Sequence, residues 1–324
     1  MRVPLPLKLL VFTLLVAVPH GAAADAPVSV ATAQNHRGWH DAVVLRNSLV
    51  EAVIVPSIGR IMQFRFIGDN DGPWWENEKL AGQPMPPNPW RTTPGSFGGD
   101  KTWPAPQSLW NWPPPDVFDT SPLSVRVNDD HSVTLVSPAS PRFGLRAVRR
   151  IALDPAEPVM RVETTYEKIS GEPLTVSVWV ISQLRAPVAV FIPVPEHSKF
   201  PSGSTPKLRV PAAFLQREND WLRFTRDRAA SHKTGNDGST LVWAGERQLL
   251  RIDLAHTPGA AAPDDGCSVE VYTNADPVPY VELETLGPLQ TLRPGERLSA
   301  TNTYRLARRS DAPLETDVRA LLAR

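Results

Sequence analysis

Apolar and polar residues alternate with a period of two along most of this chain. SLVEAVIVPSIGRIMQFRFIG (48–68) predicts two strands around a Pro-Ser-Ile-Gly turn, and SVRVNDDHSVTLVSP (124–138) predicts a hairpin across Asn-Asp-Asp. The runs LRAVRRIAL, MRVETTYEKI, LTVSVWVISQL, WLRFTRD, STLVWAG, LLRIDLA, CSVEVYT, YVELETL and ATNTYRL repeat the pattern. In each, Val, Ile, Thr and aromatic residues alternate with charge, and Gly, Pro, Asn or Asp punctuates. Helical spacing is confined to the tail, PLETDVRALLAR (313–324), where Leu314, Val318, Leu321 and Leu322 share one face. Many short antiparallel strands predict an all-β protein, a large antiparallel β-sandwich with a short C-terminal helix. No repeat of fixed length argues for a propeller. No linker divides the chain, so residues 25–324 read as a single domain.

The first residues break this pattern. Arg2 and Lys8 precede the apolar run LLVFTLLVAV (9–18), and Ala22-Ala23-Ala24 follows. That order describes a cleaved secretory signal over residues 1–24, with cleavage near Ala24. The run is half the roughly 20 residues a membrane span needs. A periplasmic or secreted protein is expected, with no membrane association after cleavage. Cys267 is the one cysteine, so an intrachain disulfide is excluded and the fold must rest on its core. Basic and acidic residues number 34 each. A balanced chain with no basic stripe makes nucleic acid a poor partner.

One stretch resists the strand reading. GGDKTWPAPQSLWNWPPP (98–115) holds Trp103, Trp110 and Trp112 among five prolines. Prolines at that density argue against a helix interior and a central strand, so a stiff loop is expected. Trp74, Trp75 and Trp90 lie just upstream, which places six of the ten tryptophans between positions 74 and 112.

VEAVIVPSIGRIMQFRFIGDNDGPWWEN (50–77) resembles the opening of the galactose-mutarotase-like superfamily, and YVELETLGPLQTLRPGERLSATNTYRL (280–306) resembles its close. With GGDKTWPAPQ and VWVISQL between them, the chain is most similar to a secreted branch of the DUF4380 type. The resemblance implies a galactose mutarotase-like supersandwich with a sugar-sized cleft. A pyranose offers a C–H face to aromatic plates and a hydroxyl rim to polar groups. Trp103, Trp110 and Trp112 are therefore expected as plates held on a proline-stiffened loop. Asp100 and Lys101, after a Gly-Gly turn, are expected at the rim. Arg60, Trp75, Gln107, Trp179, Gln183 and Lys233 complete the expected sugar contacts.

Period two places Tyr280, Glu282 and Glu284 on one strand face, with Val281, Leu283 and Thr285 on the other. Two carboxylates sharing a dry cleft raise each other's pKa, as a general base requires. The resemblance assigns that base to Glu284 within Leu283-Glu284-Thr285, with Glu282 and Lys101 as further candidate catalytic groups. It also implies a histidine acid on the strand filled here by VSVWVISQLRAP (176–187), where Trp179 and Gln183 stand instead. His36, His40, His131, His197, His232 and His256 all fall in expected loops or turns. The missing histidine favours a non-catalytic carbohydrate-binding protein; the paired glutamates favour an epimerase, hydrolase or lyase, with Lys101, His197 or His232 as acid. A titratable donor within about 5–6 Å of Glu284 would separate the two. GDNDG (68–72) and PDDG (263–266) read as Asx-Gly turns rather than calcium loops, and no cofactor or metal is expected.

Overall fold

The computed structural model describes residues 28–85, 96–255 and 259–324. The expected leader, Trp90 and His256 lie outside them. The chain opens with β1 (Ser29–His36), β2 (Trp39–Arg46), β3 (Val50–Val55), β4 (Arg60–Phe66) and β5 (Gly99–Ala105). A short helix α1 (Asp116–Asp119) precedes β6 (Ser124–Val127), β7 (Val133–Val136), β8 (Leu145–Leu153) and β9 (Val159–Lys168). Next come β10 (Leu174–Arg185), β11 (Ala189–Pro193), β12 (Leu215–Glu218), β13 (Trp221–Phe224), β14 (His232–Asn236) and β15 (Thr240–Ala244). The chain closes with β16 (Gln248–Leu254), β17 (Val269–Thr273), β18 (Tyr280–Leu286), β19 (Gln290–Leu292), β20 (Arg297–Arg308) and α2 (Leu314–Leu322).

Two ten-stranded antiparallel sheets result. The first runs β1-β2-β3-β4-β5-β10-β18-β17-β14, with β19 also paired to β10. The second runs β12-β13-β11-β15-β16-β20-β9-β8-β7-β6. Alternate residues of the two sheets meet between them. Leu45, Ile54, Leu184, Val271 and Leu283 of the first sheet pack with Leu135, Val162, Ile192, Leu250 and Tyr304 of the second. The predicted hairpins form as expected, with Val127 opposite Val133 and Val55 opposite Arg60. In the latter, Gly59 adopts φ 65°, a left-handed conformation that glycine takes without a Cβ penalty. The tail helix forms on the outside of the second sheet, where Leu314, Val318 and Leu321 cover Phe191, Val242 and Leu249.

The expected loop at 98–115 is in part a central strand, which corrects the proline argument. β5 pairs with β10 from Ser177↔Ala105 to Gln183↔Gly99, so Pro104 sits opposite Val178. The Val178 carbonyl accepts from Gly287 N–H on the far side. The Pro104 carbonyl likewise turns away from β10, accepting from Trp110 Nε1 at 2.8 Å. Proline thus occupies a pair whose hydrogen bonds point outward. Its missing N–H faces the side where β4 pairs with β5 only at Ile61↔Asp100. Only the segment after Pro106 is irregular, and it folds back over the end of β5.

Candidate functional site

The strand parity read from YVELETL holds. Val281 and Leu283 enter the core between the sheets, so Tyr280, Glu282 and Glu284 occupy the outer face of the first sheet. Register then decides their neighbours. Glu284 stands opposite Ile181 of β10 and Glu270 of β17, and Lys101 of β5 lies opposite Ile181 in the same row. Glu282 stands opposite Gln183 and Tyr272, and Lys233 of β14 lies opposite Tyr272. Five strands therefore bring three glutamates and two lysines onto one face.

Glu284 is locked. Its Oε2 accepts from Trp179 Nε1 at 2.8 Å and from Lys233 Nζ at 3.0 Å. The same ammonium lies 2.7 Å from Glu270 Oε2 and 4.9 Å from the centre of a Trp179 ring. Burial draws the Lys233 pKa down, but Glu284 and Glu270 more than reverse this and hold it above the usual lysine range. Lys233 is thus a fixed cation. Glu270 is pushed up to about 8 by burial, with Glu284 adding to the rise against the pull of Lys233.

Glu282 is held more loosely. It keeps partial exposure, and its Oε1 accepts from Gln183 Nε2 at 2.8 Å. Burial and the neighbouring Glu284 push it up to about 7, while Lys101, Gln183 and Lys233 oppose them. Lys101 moves the other way, down to about 8. Burial is the main cause, Asp119 resists it, and the Arg60 guanidinium adds to it. Lys101 Nζ lies 3.4 Å from Asp119 Oδ1 and 4.0 Å from a Trp103 ring centre. Asp119 also accepts from Arg60 Nη2 at 3.0 Å and from Trp103 Nε1 at 2.9 Å.

The tryptophans wall this cluster rather than offering open plates. Trp103 is 5% exposed and Trp110 3%, which corrects their expected role. Trp103 meets Trp110 and Trp179 edge to face, at 5.6 and 5.5 Å between centres, and Lys101 lies over its ring, so it is packed rather than presented. Trp112 remains 54% exposed, edge-on to Trp103. Trp75 is partly exposed, with its ring 4.9 Å from Tyr280.

Two expected contacts fall elsewhere. Asp100 has the opposite parity from Lys101 and points between the sheets, where Arg149, Ser182 and Tyr304 hold it. Gln107 is exposed, and its amide donates to the Asn111 carbonyl at 3.1 Å. Glu270, Tyr272 and Asp119 join the site unannounced. The alternation in CSVEVYT placed Glu270 and Tyr272 on one face, but no local signal marked Asp119. Among the described histidines none reaches the cluster. His36 bonds Glu76, His232 bonds Asp227, and His197 is exposed. His36, His40 and His232 lie within β1, β2 and β14 rather than in loops. Among the described residues no three His, Cys, Asp or Glu side chains converge to hold a metal ion.

A family model described as a domain of unknown function, DUF4380, matches residues 41–307. The chain belongs to the DUF4380 family. A search of curated proteins finds no match. Among solved structures, this DUF4380 chain is similar to a galactose mutarotase-like protein from Clostridium acetobutylicum. The two share 9% identity over 88% of this chain and 99% of that one, at a TM-score of 0.57. A galactose 1-epimerase from Lactobacillus acidophilus matches at 12% identity over 88% of this chain and 100% of its own, TM-score 0.54. A galactose mutarotase-like protein from Lactobacillus casei matches at 11% over 82% and 100%, TM-score 0.55. At these identities the likeness is one of fold: the galactose mutarotase-like sandwich.

Proposed function

We propose that the outer face of the first sheet binds a carbohydrate, outside the cytoplasm, and that Glu282 is its proton-transfer group with Lys101 as counterpart. The observation that carries this reading is the unequal holding of the two glutamates. Glu284 is bound by a fixed ammonium and an indole N–H, whereas Glu282 faces a neutral amide and keeps access to solvent. A general base works best with a pKa near the operating pH, and an acid likewise. Glu282 near 7 and Lys101 near 8 straddle neutrality. Between those values a carboxylate and an ammonium coexist. The carboxylate would take a hydroxyl proton, and the ammonium would supply one to a ring or bridging oxygen. The donor 3.0 Å from Glu284 meets the distance expected of an acid, but Lys233 is held charged and so acts as a clamp.

Mono- and oligosaccharides would be screened by thermal shift, and hits followed for anomeric exchange or bond cleavage by proton NMR. Glu282→Gln should keep affinity and lower turnover by roughly 10²–10⁴. Glu284→Gln should instead loosen Lys233 and weaken binding. Activity should rise through about pH 7 and fall above about pH 8. A second reading, a binder without chemistry, is favoured by the absence of any described histidine at the cluster. Under it Glu282→Gln would weaken affinity by about 1–3 kcal/mol and no sugar would be turned over.

A further inference from the structure

A cleft opens beside Trp75, a neighbour of Tyr280 on the charged face. The segment after β4 slots into the first sheet through bridges Trp74↔Leu184 and Glu76↔Gly98. Trp75 N–H donates to the Gln183 carbonyl, and Gly99 N–H donates to the Trp75 carbonyl, each at 3.0 Å. Trp74 packs in the core between the sheets, so alternation sends Trp75 to the outer face. Its ring lies on Tyr280, whose side chain shares a strand face with Glu282, about 7 Å away by strand geometry. Gln183 therefore anchors Trp75 through its backbone and Glu282 through its side chain.

Trp75 also lines an open cleft of about 580 Å³, together with Pro277, Val278, Pro279, Arg37 and Arg185. That volume is in the range of small-molecule sites. An indole, prolines and guanidinium donors lining one cleft suit the C–H faces and hydroxyls of a sugar ring. Three cations of the lining, Arg37, Lys79 and Arg185, are matched in number by three carboxylates, Asp71, Glu76 and Glu78. Arg37 lies 2.6 Å from Asp71 and 3.1 Å from Glu76, and Arg185 lies 2.9 Å from Asp71. A charged sugar would have to displace these pairs.

We propose that this cleft is a second sugar subsite, so that the ligand is a neutral oligosaccharide reaching from Glu282 past Tyr280 and Trp75. The inference rests on the carbohydrate reading of the outer face. Calorimetric titration would compare glucose, galactose, mannose and xylose with cellotetraose, maltotetraose, mannotetraose and xylotetraose, and with tetragalacturonate. One neutral tetrasaccharide should bind about tenfold or more tighter than its own monosaccharide. Trp75→Ala should abolish that gain, so that tetrasaccharide and monosaccharide bind alike, and Trp75→Phe should restore part of it. Equal affinity for mono- and tetrasaccharide, or a gain that survives Trp75→Ala, would overturn the subsite and leave the reading of Glu282 standing. Preference for tetragalacturonate would overturn the neutral chain. Failure of every sugar to bind would overturn both.

Discussion

Two buried polar clusters lie on opposite faces of the same strands, and neighbours in sequence feed both. Asp100 points between the sheets and Lys101 points outward. On the inner side each Asp100 oxygen is filled: Arg149 takes Oδ1, and Ser182 and Tyr304 donate to Oδ2. Thr102 and Tyr166 pair beside them at 2.7 Å. On the outer side, Glu270, Glu282 and Glu284 crowd two lysines, and Arg60 keeps Nε and Nη1 buried without a hydrogen-bond partner. The inner cluster is saturated and ties sheet to sheet. The outer one is left with unmet polar capacity on Arg60 and with carboxyl and lysine pKa values moved toward neutrality, a pattern common at functional sites.

The sharpest break of this contrast is Arg149→Met. It leaves Asp100 in the core without its cationic partner, and should cost about 3–5 kcal/mol of stability, read by urea unfolding. A cost near zero would mean the inner cluster is no clamp.

Removing charge from the outer cluster should do the opposite. Glu282 rises from 4.5 to about 7 in the folded protein, so between those values the folded state holds a proton that the unfolded state has released. Stability from this group is complete below about pH 4.5 and falls as pH rises towards 7. Glu282→Gln should therefore raise stability at pH 8 by about 1–2 kcal/mol, allowing for solvent screening, and change little at pH 4.5. Destabilisation at pH 8 would show that the carboxylate is a structural partner.

Trp112→Ala should be nearly silent for stability, within about 0.5 kcal/mol, since the side chain is mostly exposed. Trp103→Ala should cost several times more, because its ring is packed against Trp110 and Trp179.

What the sequence made legible was whatever period two controls. The strands, the β18 parity of Glu282 and Glu284, and the tail helix all follow from local alternation. Lys233 was named as a contact, yet its clamp on Glu284 depends on a strand 51 residues away, joined only through β17. Asp100 was misread because a Gly-Gly-Asp-Lys string looks like a turn, whereas strand parity sends its two charges to opposite faces. Pro104 hid a central strand because its register, not its identity, decides whether the missing N–H is felt.

The central claim is that Glu282 is the poised carboxyl of the outer face. Its titration, followed by carbon-13 NMR of the side-chain carboxyl in labelled protein and assigned by Glu282→Gln, tests this most directly. A midpoint of about 7, moving down when Glu284 is replaced by Gln, is the expected result. A midpoint near the ordinary 4.5, unmoved by Glu284→Gln, would contradict it.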